Sequence, residues 1–437
     1  MTRLTSLDAF RGFVMLMMAS SGFAIARVWE NSGEELVAKS GLGKVFWSNL
    51  AHQLSHAEWV GCSLWDLIQP AFMFMVGVSM PFSYLKRHRA GHSGFQRFMH
   101  ALVRSFVLVF LGVMLSTVGD PMVDFTFVNV LTQIGLGYMV LYLLMLRGPV
   151  FNLVVIAAIL GGYGYWFAQY EIPDQERQDL YAYLDEQGLD PKEEVDKFDN
   201  SYAAHWNKHT NAGAGVDRIL LNLPPRPEEE FRGKRFWTNK GGYVTLNFVP
   251  SIATMLFGLI VGQTLIGPLT EQRKCRRLLA AGIVLLMAGM ALDTYIWPID
   301  TGEWGWTVCP TVKRIWTPTW AIFSTGWVLL MMGVFVLLFD VWNMKWLAFP
   351  FVVVGMNSIT FYMMAQLIKG WLRRMLEAFL ATTDACFGQF STFDPQLVER
   401  FFGENNVYAP INLSLLVLGT MWLIALYLYK KKIFIRI

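Results

Sequence analysis

Ten stretches of the chain run apolar over the length of a membrane crossing: 9–28, 65–85, 102–118, 126–146, 150–169, 247–268, 278–297, 319–340, 346–368 and 410–429. Their apolar positions are continuous, whereas a transmembrane barrel would alternate apolar and polar residues. A helix of about 20 residues crosses ~30 Å of hydrocarbon. The pattern therefore predicts an all-α fold, a polytopic transmembrane helix bundle of about ten spans. It makes residues 1–437 one integral membrane domain, interrupted by a polar stretch at 170–246. That stretch is too long to be a plain turn. Its segment 176–183 reads as partly helical, and Leu223-Pro-Pro-Arg-Pro227 as extended or turn.

Composition agrees with the pattern. Hydrophobic residues make up 54% and charged residues 16%, where soluble domains carry about 25% charge. A soluble enzyme, a disordered chain and a disulfide-built secreted module are excluded. The net charge of +3 gives no reason to expect a nucleic-acid partner. Placement of the charges says more. Lys86, Arg87, Arg89, Arg97 and Arg104 follow the second run; Arg273, Lys274, Arg276 and Arg277 follow the sixth; Lys430, Lys431, Lys432 and Arg436 follow the tenth. With ten spans these fall on one side, the cytoplasmic one, with both termini inside and 170–246 an extracytoplasmic insert. Lys369, Arg373 and Arg374 fall on the opposite side. They end the ninth span, lie on an interfacial helix, or belong to an eleventh span through 371–383. No small-residue cleavage site follows the first run, so it reads as a retained helix. The whole has the texture of a multi-pass protein of a bacterial inner (cytoplasmic) membrane. Four cysteines contain no CxxC; a pair among Cys62, Cys309 and Cys386 could oxidise.

Polar groups at or inside apolar spans are expensive and need a partner or a cavity. Asp8 and Arg11 are three apart and can meet on one helical face, as a self-neutralising pair or as an arginine held toward an anion. His56 precedes the second run and Asp66 begins it, with Gly61 between them as a turn. A histidine against a carboxylate is suited to general base work or to transient acyl transfer. The plain alternative is an interfacial histidine. His52 stands four before His56, but no third ligand can be named and no metal is expected. Trp59 is set apart from the aromatic belt as a candidate substrate contact. Asn129 and Gln133 share a helical face, as do Asn247 and Ser251; Asn357 is a further polar group within a span. All five could simply join helices. Gly258-Leu-Ile-Val-Gly262 is a small-residue packing motif, and Asp340 reads as a solvated helix end. The basic loops suit anionic membrane lipid, or the mouth of a site for a phosphate-bearing cofactor.

Several of these residues stand in motifs. Leu4-Thr-Ser-Leu-Asp8-Ala-Phe-Arg11-Gly12 opens the chain. His56-Ala-Glu-Trp59-Val-Gly61 is followed by Asp66-Leu-Ile-Gln-Pro70-Ala-Phe-Met-Phe-Met-Val-Gly77. Asn129-Val-Leu-Thr-Gln133-Ile-Gly135, Asn247-Phe-Val-Pro-Ser251-Ile-Ala-Thr254 and Gly355-Met-Asn357-Ser358 come after them in order. Together they resemble the membrane domain of the heparan-alpha-glucosaminide N-acetyltransferase family and its bacterial relatives. The resemblance implies a transmembrane acyltransferase that moves an acetyl group from cytosolic acetyl-CoA to an extracytoplasmic amino sugar or related glycan. By it, His56 is the acetyl carrier or general base and Asp66 its orienting partner. Trp59, Asn247, Ser251 and Asn357 would contact substrate. Arg11, Asn129 and Gln133 would line the cofactor cavity, and Arg87, Arg104, Arg276 and Arg277 would receive the CoA phosphates. Acetyl-CoA is then the acyl donor; a homodimer is compatible with the reading. Val60 replaces the asparagine that often follows the motif tryptophan, and the 170–246 insert points to an acceptor other than heparan. The rival expectations are a transporter or flippase of a sugar or glycan, and a non-catalytic component of an envelope assembly.

Overall fold

The computed structural model describes residues 4–198, 202–296, 306–387, 400–403 and 405–434, with only the backbone of Lys240 and of 381–387. Its helices in chain order are α1 Thr5–Ser20, α2 Ile25–Ser40, α3 Lys44–Gln53, α4 Ile68–Arg89, α5 Gly94–Thr117, α6 Val130–Leu144, α7 Pro149–Gln169, α8 Asp174–Glu186, α9 Pro191–Val195, α10 Ala212–Leu220, α11 Phe248–Ile266, α12 Glu271–Leu292, α13 Pro318–Val336, α14 Lys345–Gly355, α15 Ser358–Leu367, α16 Lys369–Phe387 and α17 Ala409–Lys430. Among the described residues there are isolated β-bridges and no sheet.

The fold is an all-α, polytopic, membrane-type helix bundle. Eight helical stretches among the described residues are long and apolar enough to cross a membrane, the first of them α1 and α2 taken together, and the α14–α15 pair makes up to nine if it is one span. All ten expected runs are helical, but two are not plain spans. Helix α6 has 15 residues, about 22 Å at 1.5 Å per residue. The run 346–368 bends by 61° between α14 and α15. The first run also differs from expectation. It breaks at 21–24, where Ser21, Gly22, Phe23 and Ala24 all take positive φ, and α2 continues as a separate helix. The basic cluster at 369–374 lies on α16, a helix of its own that is not one of the eight candidate spans.

The chain divides into two compact units. The first comprises Met1–Ala57, Ser63–Ile68 and Val334–Ile437. Here α1 and α14 cross at backbone contact. A Cβ at Gly12 would stand 1.8 Å from the Phe351 carbonyl oxygen, and one at Gly355 would stand 1.9 Å from that of Asp8. Phe10 and Phe13 pack on Phe335 beside this crossing, at 5.1 and 5.4 Å between rings. Asp340 is not a solvated end. The chain at Leu337–Val341 widens into a π turn, and Asp340 accepts from the Ser6 amide and hydroxyl at the start of α1.

The second unit comprises Glu58–Cys62 and Gln69–Gly333. Its centre is the crossing of α4 with α11. A Cβ at Gly77 would lie 1.9 Å from the Met255 carbonyl oxygen; those at Gly258 and Gly262 would lie 2.1 and 2.4 Å from the carbonyls of Phe74 and Val78. Small residues let helices approach where lipid offers no hydrophobic drive, and this is the place of the GxxxG pair. The 170–246 insert has its own cores. Leu180, Leu184, Val195 and Trp237 form one; Trp206 joins Trp59, Tyr163, Phe167 and Val312 in another. Asn222 pins its later half: its Oδ1 accepts the amides of Arg235 and Phe236, each at 2.9 Å. Cys309 is a buried free thiol; the side chain of Cys386, the third residue of the expected oxidisable set, lies outside the described residues.

Gly355→Ala must push α1 from α14 and should cost ~1–3 kcal/mol, the range for overpacking. Gly419→Ala, where nothing stands within 4 Å of the new Cβ, is the control. Equal thermal midpoints for the two variants in detergent would refute the close crossing.

Candidate functional site

Helix α3 ends at Gln53, and the chain turns through His56 before a 3-10 turn at Trp65–Leu67 leads into α4. Ser63-Leu-Trp-Asp66 builds that entry as a capping box. The Asp66 amide donates to Ser63 Oγ at 3.2 Å, and the Ser63 amide donates to Asp66 Oδ2 at 3.2 Å. The same Oδ2 accepts the Ala57 amide at 3.0 Å. The Ser63 hydroxyl has one proton to share between Asp66 Oδ2, at 3.0 Å, and the Ser55 carbonyl, at 2.6 Å. Gln53 Oε1 accepts the Leu64 amide at 2.8 Å and closes the loop on itself.

This leaves the other carboxylate oxygen for His56. Nδ1 of His56 lies 2.7 Å from Asp66 Oδ1. The Asp66 side chain is 1% exposed and that of His56 is 47% exposed. A buried carboxylate with two backbone donors is held as an acceptor, so a neutral imidazole gives it the Nδ1 proton and carries its lone pair on Nε2. The constellation can accept a proton at Nε2, or a group, and the carboxylate stabilises the imidazolium that results. The Trp65 ring stands 6.5 Å from the imidazole. Ser63 was not among the candidates from sequence, though its Ser-x-x-Asp spacing ahead of an apolar run is a readable signal.

Also in the first unit, Arg11 and Asp8 pair at 3.9 Å, with 27% and 11% of their side chains exposed. Asn357 is buried at the α14–α15 break, where its Nδ2 donates to the Ile433 carbonyl at 2.9 Å. The acid and histidine therefore come together, as do Asp8 and Arg11; Asn357 serves a chain crossing.

The second unit holds the other candidates. Trp59 is a core residue: it is 4% exposed and its indole donates to the Trp206 carbonyl at 3.1 Å. Asn247 Nδ2 donates to the Arg314 carbonyl at 2.5 Å, while its Oδ1 is buried without a partner. Ser251 donates to the Phe248 carbonyl at 2.8 Å. Gln133 accepts from Gln69 at 3.0 Å, and its own Nε2 is buried and unpartnered. Gln69 is another site neighbour that the sequence reading passed over. Asn129 caps α6 by accepting the Leu131 amide at 2.9 Å.

At the α4–α5 turn, Arg87 contacts Ser83 and His100. Arg97 lies over Tyr84 and Arg104 over Tyr138, at 4.8 and 5.1 Å. No carboxylate pairs with these arginines among the described residues, and the Nε atoms of Arg97 and Arg104 are buried without a partner. Arg276 and Arg277 are exposed on α12. Among the described residues no group of three or more His, Cys, Asp or Glu could hold a metal ion.

The insert holds charged groups of its own. Glu194 pairs with Lys208 and, at 3.3 Å, with His209; these hydrogen bonds, that of His209 foremost, hold its carboxyl at about 2. Burial lowers the pKa of His209. Asp217 accepts the Thr245 amide at 3.0 Å, yet burial pushes it up to about 7.

Comparison of the sequence with protein-family models finds no match, and comparison with curated proteins finds none either.

The raised pKa of Asp217 has a sign. The unfolded chain loses this proton near the ordinary 3.8 and the folded chain near 7. Between those values the folded state holds more protons, so stability falls as pH rises. Asp217→Asn should flatten that decline. Thermal midpoints at pH 5 and pH 8 should differ less in the variant than in the parent, and an unchanged difference would remove Asp217 as its source.

Proposed function

We propose that the chain is a membrane acyltransferase that moves an acetyl group from cytosolic acetyl-CoA to an extracytoplasmic amino sugar or related glycan. The observation that carries the reading is the 2.7 Å contact between half-exposed His56 and fully buried Asp66. The ordered motifs from Asp8 to Asn357 add the family resemblance, with its acetyl chemistry.

In this mechanism Nε2 of His56 removes a proton from the acceptor nitrogen or hydroxyl. The acceptor attacks the thioester carbonyl, a C–N or C–O bond forms, the C–S bond breaks, and the proton ends on the CoA sulfur. In the covalent variant the acetyl group rests on Nε2 between donor and acceptor, and Asp66 offsets the charge on the ring. We assign Arg87 and Arg104, with Arg276 and Arg277, to the CoA phosphates, because such guanidiniums without carboxylates favour an anion. Their unsatisfied side-chain amides are our reason to keep Asn247 as a substrate contact and Gln133 as a cofactor contact.

The topology that goes with this reading has ten spans, with α6 and the bent α14–α15 pair each counted as one, and both termini in the cytoplasm of a bacterial inner membrane. The insert then faces outward. A transporter or flippase is the second reading, favoured by the 61° break beside Asn357, because discontinuous helices form binding sites in transporters.

Purified protein with acetyl-CoA and a hexosamine panel should release CoA, and His56→Ala should lower the rate by ~10²–10⁴-fold, the usual contribution of a general base. Unchanged release in the variant removes His56 from the chemistry. Sugar uptake into vesicles without thioester consumption would favour the transporter. For topology, a cysteine placed at His92 should react with an impermeant maleimide only in opened cells, and one at Asp190 in intact cells. The reverse pattern would invert the assignment.

A further inference from the structure

Helix α16 carries more positive charge than its own acids answer. Between Lys369 and Phe379 it holds Lys369, Arg373 and Arg374 against one acid, Glu377. Arg373 donates to Glu377 at 3.0 Å, with both side chains more than a third exposed, where such a pair holds weakly. Arg374 is exposed. Lys369 is half-buried and touches the Ser21 hydroxyl. No carboxylate pairs with Lys369 among the described residues. Burial, and then the charge of Arg373 one turn on, lower its ammonium from 10.5 to about 8. A partly desolvated cation beside a second cation is short of an anion.

The contact at Ser21 is held in place. Ser21, Phe23 and Ala24, in the break between α1 and α2, take φ 47, 53 and 60. L residues keep that conformation only where their surroundings impose it. A Cβ at Gly22 would stand 2.5 Å from the Leu54 carbonyl oxygen, so the break is clamped on the chain that leaves α3. Ser21 Oγ receives the Lys369 ammonium, which leaves its own proton for an acceptor, and the ammonium keeps two more donors.

The rest of α16 points to the source of the anion. Trp371 and Met375 share a face four residues apart and are exposed, as are Leu367 and Ile368 at the helix entry. Leu372, on another face, is buried. The helix is not one of the candidate spans. A helix with an exposed apolar face and its cations turned away from that face lies in the membrane interface. Lys369, Arg373 and Arg374 then stand at the level of the lipid phosphates.

We propose that Lys369, Arg373 and the Ser21 hydroxyl form a binding site for the phosphate of an acidic phospholipid headgroup. The site does not depend on the acyltransferase reading.

The test places the full chain in nanodiscs of phosphatidylcholine alone or with phosphatidylglycerol. A limiting dose of an amine-acylating reagent at pH 8 is followed by mass spectrometry of the labelled lysines, with exposed Lys44 as the internal reference. A phosphate beside Lys369 favours its charged form. A rise of one pKa unit takes the unprotonated fraction at pH 8 from about a half to about a tenth. Phosphatidylglycerol should therefore slow acylation of Lys369 about fivefold relative to Lys44. Lys369→Gln and Arg373→Gln should each weaken retention of phosphatidylglycerol in native mass spectrometry by about fivefold, with phosphatidylcholine retention and thermal midpoints near the parent's. Equal Lys369 labelling in the two nanodiscs would overturn the proposal. So would equal protection by inorganic phosphate in phosphatidylcholine discs, or parental phosphatidylglycerol retention in both variants.

Discussion

Helix against helix at backbone distance is the constraint on which this structure depends. In lipid, apolar side chains gain nothing by leaving one hydrocarbon surface for another, so association rests on close contact and polar bonds. Each unit has such a crossing. Gly12 and Gly355 bring α1 onto α14, and the same part of α1 carries Asp8 and Arg11. Gly77, Gly258 and Gly262 bring α4 onto α11, and the start of α11 places Ser251 one turn after Asn247. A side chain at any of these glycines would separate the helices and the polar groups they carry.

The second organising interaction is the carboxylate of Asp66. It closes the first turn of a helix through Ser63, holds the returning chain at Ala57, and still presents an oxygen to His56. A cap alone would satisfy a helix end. A cap that is also buried behind a half-exposed imidazole fixes the orientation of that ring. The same carboxylate thus links a local folding motif to the proposed chemistry.

The insert follows a different logic. It folds around Trp206, Trp237 and neighbouring apolar residues, and it buries charge: Arg218 is 1% exposed and meets Glu176. Buried ion pairs contribute little net stability but place groups with precision.

Much of the fold could be read from the chain. The positions of the apolar runs, their helical character, the polar insert and the ten-residue step from His56 to Asp66 are properties of short segments. Tertiary structure decided the rest. The break at 21–24, the 61° bend before Asn357, the burial of Trp59 and the anchoring of Ser6 by Asp340 depend on residues far along the chain. The reason is physical. Hydropathy and helix propensity are summed over neighbours in sequence, so they locate a helix. Where that helix breaks, and whether an indole is core or contact surface, depends on which distant backbone or ring comes within a few ångströms.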